Sequence, residues 1–268
     1  MNGSAKLGSA ALPLYIVTGI IVLFLLVPLG LPFVLSISDT PFVTFPPRGF
    51  TLQWYRNVFD ERDFTDSVRL SLLLAGLTAV GAVLFGTPAA IGLTRHKFAG
   101  RELIQGLVFS PLMFPALVTG IALLRFFSSI GSQNAFTNLL IGHVLVTIPY
   151  VVRTVSASLL QLDPAIEEAA RTLGADRIRT FWWITRPQIL PGLFAGAVFA
   201  FVTSFDNYAI SMWLYDAANV PLPLTMFSLI SRMFDPGIAA IASLMILMSI
   251  VIVVVLERLT GLQRAMSV

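Results

Sequence analysis

"EEAARTLGADRIRTFWWITRPQILPG", residues 167–192, is a polar, charged stretch set between two long apolar ones. Locally it reads as helix, tight turn, helix. Just upstream, Asp163 is a good N-cap and Pro164 suits the first helical position. Glu167 and Glu168 fall in the first two turns, where the helix dipole favours acids. Gly174 reads as a left-handed stop. Asp176 can cap a second helix, whose continuation Pro187 limits. Ala169, Ala170, Leu173, Ile178, Phe181, Trp182 and Ile184 give each short helix an apolar side. Two readings fit. One is an amphipathic hairpin lying on a membrane surface. The other is a docking element laid as a short helix into a groove of a partner protein.

The surrounding chain narrows the setting. It has 268 residues, 56% of them hydrophobic and only 12% charged. A soluble domain carries roughly 25% charged residues, so most of this surface must face lipid. There are no cysteines, which excludes disulfides and thiolate metal sites. No basic run suggests nucleic acid.

Long apolar stretches mark the spans, each about 20 residues or more, the thickness of a bilayer; the fourth is weaker because it holds His143 and Arg153, and the fifth is interrupted by Asp206. They fall at about 11–37, 69–94, 103–127, 138–160, 189–214 and 236–257. The core of the first is "LYIVTGIIVLFLLVPLGLPFVL"; it is longer than a signal-peptide apolar region and lacks an A-x-A-like site after it. No segment alternates as a transmembrane β-strand does. Helices satisfy their own backbone groups, so the expected fold is an all-α membrane protein of six transmembrane helices. The polar stretch becomes a helix-turn-helix loop at about 161–188.

Orientation follows from Lys and Arg. One side holds Lys6, Arg95, Lys97, Arg101, Arg153, Arg171, Arg177, Arg179, Arg186, Arg258 and Arg264. The other holds Arg48, Arg56, Arg62 and Arg232, and Arg69 and Arg125 sit at span ends. The positive-inside rule puts the richer side, both termini and the 161–188 loop in the cytoplasm.

Glu168-Ala169-Ala170, three residues, Gly174, nine residues, Ile184, one residue and Arg186-Pro187 resemble the EAA motif of ABC importer permeases. Arg186 stands where that family has Leu. "RGFTLQWYRNVF" (48–59), "HVLVTIPYVVRTV" (143–155) and "SFDNYAI" (204–210) resemble the spermidine/putrescine subgroup, so the likeness runs over nearly the whole chain. The resemblance implies the type I permease fold in a bacterial inner membrane. It implies that the loop, with Glu167, Glu168, Ala169, Ala170, Gly174, Ala175, Ile184, Arg186 and Pro187, couples to an ATPase subunit. Arg186 would reach a carboxylate there, or a lipid phosphate. The assembly would hold a second permease, as a heterodimer, two ATP-binding cassette subunits and an extracytoplasmic solute-binding protein. The acidic outer segment 39–67 and the loop around Asp216 to Asp235 would meet that binding protein. ATP and Mg would sit on the ATPase subunits, and the permease would need no cofactor. This chain has no G-x-x-x-x-G-K-[ST] loop, no H-E-x-x-H and no paired His/Cys cluster.

Ionisable residues inside spans usually face the bundle. Gly192, Gly196 and Ala200 recur every four residues, a stripe that lets another helix come close. Asp206 lies within about 40° of Gly192 around a helix axis. It is therefore expected to face protein or pathway, with Asn207 and Tyr208 beside it. It would either meet a cation in transit or pair structurally with Arg125. His143, Thr147, Tyr150 and Thr154 form a second polar face, kinked at Pro149, that serves either the pathway or interhelical hydrogen bonds. Asp206 favours a cationic, polyamine-like solute; opines, amino-acid-like solutes and iron stay open. A secondary transporter would bring its own coupling-ion site and usually inverted repeats, and an intramembrane enzyme would need a catalytic set. Neither is evident in the sequence.

Overall fold

In a computed structural model, residues 5–60, 62–232 and 236–260 are described. Glu61, Asp235 and Arg264 lie outside these ranges, and the side chains of Lys6, Arg62 and Arg232 are likewise outside the described set. The described residues form helices and no strand, with one isolated bridge between Asp216 and Asn219. The helices are α1 (Ala5–Leu35), α2 (Gln53–Asp60), α3 (Arg62–Arg95), α4 (Arg101–Met113), α5 (Ala116–Ser129) and α6 (Ala135–Gln161). They continue as α7 (Pro164–Thr172), α8 (Arg177–Thr180), α9 (Arg186–Phe205), α10 (Tyr208–Leu214), α11 (Leu222–Arg232) and α12 (Gly237–Thr260).

Among them, five runs are long and apolar enough to cross a bilayer: Pro13–Leu35, Asp63–Arg95, Ala135–Gln161, Arg177–Phe205 and Gly237–Val255. The stretch expected as an unbroken span over 103–127 is instead two helices, α4 and α5, bent by 111°. The break lies at Phe114-Pro115. A residue before proline is driven out of the helical region, and Phe114 is extended at φ −87°, ψ 146°. The stretch expected over 189–214 also differs. Its helix starts upstream and ends at Phe205, and α10 follows as a separate short helix.

The chain divides into two compact units. One comprises residues 1–62 and 228–250, the other 63–227 and 251–268. In the first, the segment after α1 is held by aromatic side chains. The Tyr55 hydroxyl lies 2.7 Å from Ser36 Oγ and 2.8 Å from Ser243 Oγ, and Trp54 Nε1 donates to the Ser38 carbonyl at 2.8 Å. Their polar atoms tie α2 to α12 and to the segment after α1.

The second unit is organised around α6. Val151, Val152, Val155 and Leu159 of α6 pack with Ala82, Ala90 and Leu93 of α3 and Ile189 and Ala200 of α9. A second apolar cluster joins Leu139 and Val146 to Leu123 and Phe127 of α5 and Ile210 and Leu214 of α10. Helix α11 occupies part of the stretch read as an outer loop. Its first turn is fixed by Ser71 Oγ, which accepts from the Leu222 N–H at 2.8 Å and so satisfies an orphan donor.

Candidate functional site

The 161–188 segment is built by local caps. Asp163 Oδ1 accepts from the Ala165 N–H at 2.9 Å, with Pro164 opening α7. At the other end, the Gly174 N–H reaches the Arg171 carbonyl at 2.9 Å and the Ala175 N–H reaches Ala170 at 3.0 Å. This pair of bonds is a Schellman motif. It requires the left-handed backbone of Gly174, whose φ is +92°. Asp176 Oδ1 then accepts from the Arg179 N–H at 2.7 Å and starts α8.

From there the helix does not stop. It widens into a π-helical turn over Phe181–Thr185 and runs on as α9. Pro187 was expected to limit this helix. A proline ring clashes with the carbonyl four residues back in α geometry. Here the ladder shifts by one residue just before it: the Arg186 N–H bonds to the Phe181 carbonyl. The span therefore begins in the loop itself, and Arg177–Phe205 is one helical run of 29 residues.

The outward surface of this element carries large apolar side chains among charged ones. Leu173 at the turn is 89% exposed, Ile178 71% and Trp183 81%. Glu168 and Ala169 are exposed as well, Ala170, Ala175 and Ile184 are half-buried, and Arg186 and Pro187 are exposed. The Arg186 guanidinium lies over the Trp182 ring, 5.0 Å from its centroid. Glu167 behaves differently from its neighbour. Its side chain is only 13% exposed; one oxygen faces Arg95 at 3.4 Å and accepts from the Thr185 hydroxyl at 2.7 Å, and the other faces Arg171 at 3.9 Å. Neither Arg95 nor Thr185 was singled out by the sequence.

The small-residue stripe is a helix-packing seam. Gly192, Gly196, Ala200 and Ser204 are buried. A Cβ on Gly192 would lie 2.5 Å from Ser158 Oγ and 2.6 Å from the Thr154 carbonyl, so α9 meets the backbone of α6. Asp206 is not on this seam, contrary to the helical projection. Helix α9 ends at Phe205, and Asp206 turns out of it at φ −99°, ψ 16°, with its side chain exposed. Among the described residues both ion pairs involve Glu167, and Asp206 does not pair with Arg125. Asn207 Oδ1 caps α10 by accepting from the Ile210 N–H at 3.0 Å. The half-buried Tyr208 ring faces Phe227, centroids 5.3 Å apart.

The second polar face is largely closed. His143 is fully buried, with Nδ1 2.8 Å from Ser204 Oγ and Nε2 3.2 Å from Ser211 Oγ. One imidazole thus joins both sides of the break at Asp206. Thr147 and Thr154 donate back to carbonyls of their own helix, His143 and Tyr150 respectively. Tyr150, stacked on Phe199 with ring centroids 6.2 Å apart, and Thr154 are half-buried. His143 therefore holds α9 and α10 to α6, Thr147 bonds within its own helix, and both are buried within this chain. Between α10 and α11, the Asn219 side-chain amide donates to Asp216 and holds its carboxyl below the usual range.

Residues 82–265 match the family described as "Binding-protein-dependent transport system inner membrane component". The chain belongs to this family. The permease is 31% identical over 213 residues to the spermidine/putrescine transport system permease protein PotC of Haemophilus influenzae, covering 80% of this chain and 83% of that one. It is 30% identical over 230 residues to the putrescine transport system permease protein PotI of Escherichia coli, covering 83% and 82%. In fold, the permease is similar to the crystal structure of a bacterial ABC transporter involved in the import of the acidic polysaccharide alginate. The TM-score is 0.73 at 18% identity, over 97% of this chain and 98% of that one. This protein is thus a multi-pass inner-membrane permease component of an ABC importer, with the type I permease fold, and not itself a catalytic enzyme.

Proposed function

We propose that the permease forms half of a translocation pathway for a small cationic, polyamine-like solute. Its 161–188 loop docks on an ABC ATPase in the cytoplasm, where both termini also lie. The observation that carries this reading is the tip of that loop. A capped helix ends at Gly174, presents Leu173 and Ile178 to the outside, and its second helix enters a span through the π turn. A soluble surface would not hold such apolar residues outward without a partner. A push on the tip reaches the span directly.

The other half of the pathway is a second permease, paired with this one as a heterodimer. Two ATPase subunits bind ATP and Mg, and an extracytoplasmic binding protein delivers solute to the outer loops. The substrate class is supported by the two polyamine permease relatives and by Asp206. This carboxylate is exposed at the break between α9 and α10 and has no ion pair among the described residues, so an incoming cation would replace lost water contacts there.

The test is uptake. The permease would be reconstituted in proteoliposomes with its partner permease, ATPase and binding protein. ATP-dependent accumulation of spermidine or putrescine is expected, with molybdate and amino acids not taken up. Uptake of an anion in place of the polyamine would refute the cationic substrate, and ATP-independent uptake would refute the ATPase-driven mechanism.

A further inference from the structure

The adjacent glutamates Glu167 and Glu168 face opposite ways. Glu168 is exposed. Glu167 turns inward and uses both carboxylate oxygens within the chain. Its partners come from three places. Arg95 is the last residue of α3, Arg171 lies one turn along α7, and Thr185 ends the π turn that leads into α9. Thr185 is itself buried. Without Glu167, α7 is attached to α9 through the Gly174 turn and α8, and to α6 through the Leu162–Asp163 linker.

We infer that Glu167 is a positioning residue that ties the coupling helix α7 to the ends of two spans, α3 and α9, so that displacement of the docked tip moves both. This inference rests on the docking reading above. A π turn replaces one α ladder step and marks a place where a helix can adjust. Thr185 sits at the end of that turn. The short hydroxyl–carboxylate bond therefore joins the moving helix to the adjustable point of the span. The Arg95 and Arg171 charges hold the carboxylate in place. Glu168 has no such partner and remains available to the ATPase.

The test uses the complete importer, with uptake and ATP hydrolysis measured together and ATPase association measured by co-purification. Thr185→Val removes the hydroxyl and keeps the shape; Thr185→Ser restores it. Glu167→Gln keeps an acceptor for Thr185 and removes the charge facing both arginines, and Glu167→Ala removes both. Solute imported per ATP hydrolysed should fall about tenfold in Glu167→Ala, the size expected when hydrogen bonds to a charged group are lost. Thr185→Val should show a smaller fall that Thr185→Ser reverses, and all four variants should keep the ATPase bound. If Glu167→Ala does not accumulate, the Thr185 pair decides. Wild-type transport per ATP in both Thr185→Val and Glu167→Ala would overturn the inference while leaving docking intact. A wild-type permease that does not associate with the ATPase at all would overturn the docking reading and this inference with it.

Discussion

Gly196 and Thr154 touch across the α6–α9 seam: a Cβ on Gly196 would lie 2.7 Å from Thr154 Oγ1, and 2.9 Å from Val151 Cα on the same helix. No real Cβ contact is this short, and the second neighbour is backbone that cannot swing aside. The seam carries the span that begins in the 161–188 loop.

Gly196→Ala is therefore expected to lower stability by about 1–3 kcal/mol, the usual cost of overpacking. Gly76→Ala in α3 is the matched control, because nothing lies within 4 Å of its Cβ position. That change should be neutral or should stabilise by roughly 0.5–1 kcal/mol, since Ala suits a helix interior better. Thermal melting of the detergent-purified chain separates the two. Equal melting temperatures would mean that α9 does not meet α6 at Gly196.

At Gly174 the obstacle is conformation and not space. Nothing lies within 4 Å of a Cβ there, yet φ is +92°. Asn tolerates the left-handed region, and a β-branched residue does not. Solute-stimulated ATPase activity should fall in the order wild type, Gly174→Asn, Gly174→Val, with a strain of about 1–3 kcal/mol for valine. Valine performing as well as asparagine would contradict the need for this turn.

Asp206→Asn isolates charge. The side chain is exposed and forms no ion pair among the described residues, so melting temperature, abundance and ATPase association should stay as in the wild type. Uptake of a polyamine should drop at least about tenfold, or roughly 1.4 kcal/mol at the barrier. Full uptake would remove Asp206 from the pathway. A loss of stability that neutralising Arg125 repairs would restore the structural pair that the geometry argues against.

His143→Ala should act on stability. It leaves the Ser204 and Ser211 hydroxyls facing a void in the packed bundle. Each buried group left without a partner costs about 1–3 kcal/mol. Melting should fall well below that of Thr147→Val, since the Thr147 hydroxyl bonds only to carbonyls of its own helix. Similar melting for the two variants would count against the bridging role.

Much of this was legible in the sequence wherever the determinants are close along the chain. Asp163, Pro164, Gly174 and Asp176 each act on backbone groups within a few residues, so their caps could be read directly. The Gly192–Gly196–Ala200 stripe was readable because helical spacing alone puts it on one face. Phe114-Pro115 broke the third span by a local rule that hydropathy hides, since both neighbours are apolar. Pro187 was misjudged because a π turn, set by tertiary context, can absorb a proline that an α ladder cannot. The Arg95–Glu167 pair is separated by 72 residues, and His143 from Ser204 and Ser211 by 61 and 68. Nothing in a single sequence joins such partners. Asp206 failed for a related reason, because its projected angle assumed a helix that ends one residue earlier.

The central claim is that the Gly174 turn is the surface that meets the ATPase, and the chain offers a clean way to ask. It contains no cysteine, so Leu173→Cys places a single thiol at a point of the loop that is 89% exposed. In membranes containing the full importer, with a cysteine scan across the ATPase surface, a short thiol-reactive cross-linker should join Leu173→Cys to the ATPase subunit in high yield. The yield should change between nucleotide-free and ATP-bound states, and Gly131→Cys on the turn after α5 should give no ATPase product. Efficient cross-linking of Gly131→Cys to the ATPase, with none from Leu173→Cys, would contradict the account.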